Sequence, residues 1–146
     1  MSLFDKLQGN RKAKIEEEKQ AGAKFLAENK QDNDVIELPS GIQYKVITAG
    51  SGPKPDINNT IKAHYSGKLL NGSEFDSSYK RNQPFSAPIT KLIKGWQEVL
   101  PMMPTGSKWR LWIPSDLAYG DAGVGQAGIP GGAMLDFEIE LLEIIS

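Results

Sequence analysis

The sequence predicts an α+β domain, a curved antiparallel β-sheet wrapped around one short helix, preceded by a helical extension. Three observations carry this reading. From Ile36 onward apolar residues recur with period two, glycines and prolines punctuate the runs, and only one helix-like segment interrupts them. The first thirty residues are of opposite character, rich in Lys, Glu, Gln and Ala and free of proline. The expected division is therefore a helical stalk over residues 1–33 and a folded domain over 34–146.

Residues Asp5 to Lys30 have the composition of a helix, but their apolar residues are sparse. Ile15, Ala21, Phe25 and Leu26 form a thin stripe, and Gly9 and Gly22 each weaken the helix by about 1 kcal/mol. Such a stalk is expected to be separable from the domain, and Asn29 to Asp34 supply the polar break. Within the domain, Gly41 to Val46 alternates, and Ser51-Gly-Pro-Lys-Pro55 ends that strand. Thr60 to Leu70 sets Ile61, Ala63, Tyr65 and Leu69 on one face and Lys62, His64, Ser66 and Lys68 on the other. Asn71-Gly72 then reads as a two-residue hairpin into Ser73 to Asp76.

Lys91 to Leu100 is the internal helix, with Leu92, Trp96 and Val99 or Leu100 on one side and Pro101 and Pro104 ending it. Trp109, Leu111 and Ile113 alternate with Lys108, Arg110 and Trp112. The last strand, Met134 to Ile145, turns Leu135, Phe137, Ile139 and Leu141 inward and Asp136, Glu138 and Glu140 outward.

Composition narrows the function. A chain of 146 residues, 39% apolar, holds one domain and an extension. With 17 basic and 18 acidic residues, net charge −1, it offers no polyanion-binding surface, so nucleic acid is not an expected partner. The sequence has no cysteine and a single histidine, His64, which excludes disulfides, thiolate nucleophiles and Cys- or His-rich metal sites; no metal or cofactor is expected. No apolar run reaches the roughly 18 residues of a membrane span, and no signal-peptide core is visible at the start. The chain as given is expected to be soluble and cytoplasmic, or periplasmic or outer-membrane-associated had a signal been removed.

Gly123-Val-Gly-Gln-Ala-Gly128 matches the G-x-G-x-x-G pattern, but Ile129-Pro-Gly-Gly132 follows it and forbids the helix that a dinucleotide site requires, so a surface loop is expected. His64 lies on the polar face of its strand, where a satisfied or exposed histidine is expected, and since no Ser/His/Asp arrangement can be built except around it, hydrolase chemistry is not expected. The informative feature is an aromatic set near turns: Tyr65, Phe75, Phe85, Trp96, Tyr119 and Phe137. Filling a core is the plain reading of such residues. Two of them carry hydroxyls, however, and Tyr119 falls in the loop-like Ala118-Tyr-Gly-Asp121; polar tips around an apolar floor describe a ligand pocket.

At these residues the chain resembles the FKBP family of peptidyl-prolyl cis-trans isomerases, from about Leu38 to Ile145. The segments that carry the resemblance are His64-Tyr-Ser-Gly67, Gly72-Ser-Glu-Phe-Asp-Ser-Ser78, Gly95-Trp96, Leu117-Ala-Tyr-Gly120 and Leu135-Asp-Phe-Glu-Ile-Glu-Leu-Leu142. Within the family the sequence is similar to the bacterial macrophage infectivity potentiator group, whose connecting helix resembles Ala21 to Asn29. The resemblance implies catalysis of X-Pro rotation with Tyr65, Asp76, Tyr119 and Phe137 at the centre. Phe75, Arg81, Phe85, Leu92, Ile93, Trp96 and Ile129 would bind substrate, Arg81 as a loop residue near Asp76. It further implies proline-containing polypeptide clients, tacrolimus- or rapamycin-type macrolide ligands, and a monomer as given, with a dimer if a longer N-terminal region exists. The other reading is a proline-peptide-binding chaperone module with little turnover. Three departures from the family pattern are Leu92, where valine is more usual, Ala87, where a bulky residue is common, and Pro130-Gly131, where a second proline is frequent.

Overall fold

The computed structural model describes residues 2–146. Ser2 caps the first helix, α1 (Leu3–Asn29): its side chain accepts from the Asp5 N–H at 3.1 Å while the Asp5 carboxylate takes the Ser2 N–H. The strands follow as β1 (Ile36–Glu37), β2 (Gln43–Thr48), β3 (Thr60–Lys68), β4 (Glu74–Ser77), β5 (Phe85–Pro88), β6 (Lys108–Ile113) and β7 (Leu135–Ile144), with α2 (Lys94–Val99) between β5 and β6. All pairings are antiparallel, in the order β1-β2-β6-β7-β3-β4, and β5 pairs with the first half of β3. The α+β architecture expected from the alternation is thus observed.

One face of the sheet carries the core. Ile61, Ala63, Leu111, Ile113, Ile139 and Leu141 are fully buried there against Trp96, Val99 and Leu100 of the α2 region. Gly95 permits the close crossing, since a Cβ at that position would meet Ile113 Cγ2 at 2.7 Å. The helix is shorter than its sequence pattern suggested. Residues Ile89–Lys91 form a separate 3-10 turn, Ile93 is the N-cap of α2, and Leu92 and Ile93 link the two.

The opposite face is where sequence and structure diverge most. Trp112, assigned by alternation to the outer side, is 3% exposed, because Phe25 and Leu26 of α1 cover it together with Met134 and Val35. Gln43, next to it on β2, is fully buried: its Nε2 donates to the Leu26 carbonyl at 2.8 Å and to Glu37 at 2.9 Å, and its Oε1 accepts from Asn29 at 2.9 Å. Every polar atom of the side chain is satisfied, as burial demands. The thin stripe of α1 therefore docks through its C-terminal half. Among the described residues no helix is long and apolar enough to cross a membrane.

The β3–β4 connection is also not the two-residue hairpin expected from Asn71-Gly72. Leu69 N–H donates to the Ser73 carbonyl and Gly72 N–H to the Leu69 carbonyl, each at 2.9 Å, so three residues, Leu70 to Gly72, make the turn. Gly72, at φ +90°, supplies the left-handed position that such a loop needs.

Candidate functional site: an aromatic cleft beside the central helix

Tyr65 and Gly67 occupy the inward-facing positions at the end of β3, and Phe137 pairs with Gly67 on β7. A Cβ on Gly67 would stand 2.5 Å from Phe75 Cζ and 2.8 Å from Phe137 Cε1. The missing side chain is what lets both rings lie down on the sheet. Their edge-to-face contact has centroids 5.7 Å apart at 85°. Trp96, the third residue of α2, forms the floor at 5% exposure and meets Tyr65 at 5.2 Å, Phe137 at 5.1 Å and Phe85 at 5.6 Å.

Above this floor opens a cleft of about 320 Å³. Of the residues singled out from sequence, Tyr65, Phe75, Asp76, Phe85, Leu92, Ile93, Trp96, Tyr119 and Phe137 line it. Arg81 lies outside the wall and reaches Asp76 with its Nη1, its guanidinium carbon 5.8 Å from the centre of the Tyr65 ring. Ile129 is 4% exposed and packs in the core behind the wall rather than in the cleft lining.

The polar equipment of the cleft is small. The Tyr65 hydroxyl donates to Asp76 Oδ2, Arg81 donates to Oδ1, and the Ser77 N–H adds a bond of 2.9 Å. Burial pushes the Asp76 carboxyl up, but the bonds from Tyr65 and Arg81, the charge of Arg81 and the Ser77 amide together outweigh it and hold the group below the usual carboxylate range. Asp76 is therefore an anion at neutral pH. Burial, then the bond to Asp76, raise the Tyr65 phenol above its ordinary value. Burial, with the charge of Asp76, does the same for Tyr119. Both phenols stay protonated, and Tyr65 is the donor to Asp76. The Ile93 N–H stands ahead of the first turn of α2, where helix geometry leaves donors without a partner.

Lys91 lines the rim and was missed from sequence, where it read as the start of a longer helix. The break between the 3-10 turn and α2 turns it to the cleft. Ser78 was also missed. It is fully buried, and its Oγ accepts from the Tyr65 N–H at 2.7 Å and lies 2.8 Å from His64 Nδ1, tying β4 to β3 beside the cleft. His64 itself stacks on Tyr79, with centroids 4.6 Å apart, and is not among the cleft residues. The G-x-G-x-x-G segment is a small closed hairpin in which Val124 and Ile129 exchange both backbone bonds, at 2.9 and 3.0 Å. Among the described residues no group of His, Cys, Asp and Glu could hold a metal ion.

Fold and cleft together define a small open-sheet domain with an aromatic cleft edged by a few hydrogen-bond donors. Residues 52–142 match the profile of the FKBP-type peptidyl-prolyl cis-trans isomerase family, and residues 1–46 that of a domain amino terminal to it. The chain belongs to the FKBP-type peptidyl-prolyl cis-trans isomerase family. It is 47% identical over 124 residues to an FKBP-type 22 kDa peptidyl-prolyl cis-trans isomerase of Escherichia coli, covering 85% of this chain and 60% of the relative. It is 41% identical over 131 residues to the outer membrane protein MIP of Legionella longbeachae, covering 90% and 56%. Among solved structures, a peptidyl-prolyl cis-trans isomerase of Pseudomonas syringae superposes with a TM-score of 0.82 at 42% identity, covering 90% of this chain and 96% of the other. FkpA of Escherichia coli gives 0.89 at 35% identity, covering 94% and 63%. The chain thus spans roughly half to three-fifths of the curated relatives it matches.

Proposed function

We propose that the cleft catalyses cis-trans isomerisation of X-Pro bonds in polypeptides, without a covalent step. The observation that carries this is the box formed by Trp96, Tyr65, Phe85 and Phe137, with donors at its edge and no group suited to proton transfer near neutrality. Rotation about an amide costs about 18 to 20 kcal/mol because twisting removes its resonance. The twisted amide is less polarised than the planar one, so a water-poor aromatic site favours it relative to the ground state. Trp96 would seat the prolyl ring, with Tyr65, Phe85, Phe137, Phe75 and Leu92 as walls. The Ile93 N–H and the Tyr119 hydroxyl would hold substrate carbonyls while the bond turns. Asp76, kept ionised, would fix Tyr65 and direct negative potential into the cleft, with Arg81 fixing Asp76 in turn. Ile129 would act from behind the wall, as packing for the Tyr119 loop.

The same reading extends to macrolides of the tacrolimus and rapamycin type, whose pipecolyl ring would occupy the prolyl seat. For organisation it takes residues 1–33 as an extension and 34–146 as the isomerase domain, monomeric over these residues. The test is turnover of a short X-Pro peptide followed by its cis-trans relaxation. Wild type should accelerate relaxation and tacrolimus should compete. Tyr119→Phe should lose about 1 kcal/mol of transition-state binding, roughly fivefold in kcat/KM. Saturable peptide binding with no acceleration would replace the enzyme by a proline-binding chaperone module.

A further inference from the structure

The loop that carries Tyr119 is held from one side by α1. Gly132, at φ +81°, donates to the Gly120 carbonyl at 2.9 Å, Gly120 donates to Ser115 at 2.7 Å, and Gly123 donates back to the Tyr119 carbonyl at 3.1 Å. Tyr119 is therefore set by bonds to its own carbonyl and to the residue after it. Directly against this knot lies one turn of α1. A methyl on Gly132 would stand 2.5 Å from the Ile15 carbonyl oxygen and 3.2 Å from both Ile15 Cγ2 and Lys19 Cγ; one on Gly131 would stand 2.0 Å from the Asp121 carbonyl oxygen and 3.1 Å from Ile15 Cγ1. Lys19 Nζ reaches Asp121, two residues past Tyr119, at 2.7 Å. The departure from a second proline at Gly131 thus has a structural cause in the Asp121 carbonyl that crowds it, while Gly132 forms the seat of the helix.

We propose that the Ile15–Lys19 turn of α1 is a positioning element for Tyr119, through Gly132 and Gly120 on one path and Asp121 on the other. The N-terminal helix then sets the polar wall of the cleft, and displacement of the helix is felt as altered substrate affinity. This rests on the isomerase reading above for its kinetic consequence, but not for its mechanical one. The link is short. Ile15 touches Gly132, Gly132 bonds Gly120, and Gly120 is adjacent to Tyr119. It is also independent of the docking of Phe25 and Leu26 on Trp112, which anchors the end of α1 further along.

The experiment uses the full chain with Lys19→Glu, Asp121→Lys and the double swap, each also made in a Tyr119→Phe background. Each single reversal should raise hydrogen exchange at the Gly120, Gly123 and Gly132 amides while leaving the Leu111 and Ile139 amides of the sheet unchanged. Each should also raise KM for an X-Pro peptide about two- to threefold, the size expected of an exposed ion pair, and the effect should shrink in 1 M salt. The swap should restore both readouts, and the KM effect should vanish in the Tyr119→Phe background. Unchanged loop exchange, failure of the swap to restore it, or an equal KM effect without the Tyr119 hydroxyl would overturn the proposal. Absence of turnover in the wild type would refute the isomerase reading instead, and the exchange data alone would then decide the mechanical link.

Discussion

Gly67→Ala isolates what the cleft owes to close packing. Gly67 lies within β3 and is buried, and nothing about its backbone demands glycine, so the substitution acts through sterics alone. The new methyl would meet Phe75 Cζ at 2.5 Å and Phe137 Cε1 at 2.8 Å, against an ordinary carbon contact of about 3.5 to 4.0 Å. Each ring has to retreat by about 1 Å. Phe137 cannot do so freely, because Trp96 stands 5.1 Å from its centroid and Phe75 5.7 Å. Overpacking of this kind costs about 1 to 3 kcal/mol. For a chain of this size that corresponds to a fall in Tm of about 3 to 10 °C. The displaced rings are two cleft walls, so kcat/KM should fall by about tenfold or more, well beyond the loss in folded fraction. Thermal unfolding by near-ultraviolet dichroism and peptide isomerisation measure the two effects. Gly72→Ala is the control, since open space surrounds that position and only backbone strain at φ +90° is introduced. A Gly67→Ala protein with wild-type Tm and wild-type kcat/KM would refute the packing of Phe75 and Phe137 over β3.

Asp76→Asn tests the anion. Because the folded-state pKa of Asp76 is depressed, its contribution to stability is complete above the unfolded value near pH 4 and is lost as pH falls through the lower folded value. The variant should therefore flatten the acid limb of the stability curve below about pH 4 while lowering activity several-fold at pH 7; an unchanged acid limb would contradict the Tyr65 and Arg81 contacts. The rate should be nearly flat from pH 6 to 8, since His64 contacts Ser78 and Tyr79 rather than the cleft; a bell-shaped profile abolished by His64→Gln would point to acid-base chemistry. Limited trypsin digestion should cut α1 at Arg11, Lys12 and Lys14 well before Lys24 and Lys30. Gln43→Leu, which removes the Gln43 partner of Asn29 and leaves the Leu26 carbonyl only its bond from the Lys30 N–H, should bring the later sites into reach at a cost of about 1 to 3 kcal/mol. Equal cleavage of all five sites in wild type would show α1 to be undocked.

Local alternation was enough to predict the sheet. Residues at i and i+2 share a face whatever they pair with, so Ile61, Ala63 and Tyr65, and Leu135, Phe137, Ile139 and Leu141, announce their inward side without knowledge of the partner strand. The aromatic set and the hydroxyls of Tyr65 and Tyr119 likewise suggested a pocket, because a buried hydroxyl needs a partner. The same logic failed where coverage comes from elsewhere in the chain. Trp112 and Gln43 alternate outward and are nonetheless buried, since α1 returns over that face with Phe25, Leu26 and Asn29. Sequence separation hides such contacts: Gln43 and Leu26 are seventeen positions apart, and a thin apolar stripe gives no hint that one tryptophan awaits it. Local geometry also chose among options that composition leaves open, placing Gly72 in a three-residue turn and dividing the Lys91–Leu100 run so that Lys91 reaches the cleft. The meaning of Gly67, Gly131 and Gly132 belonged wholly to tertiary structure. A glycine records only an absent side chain, and the atoms that would have clashed with it, from Phe75, Phe137, Asp121 and Ile15, are brought there by the fold, Phe137 and Ile15 from distant segments of the chain.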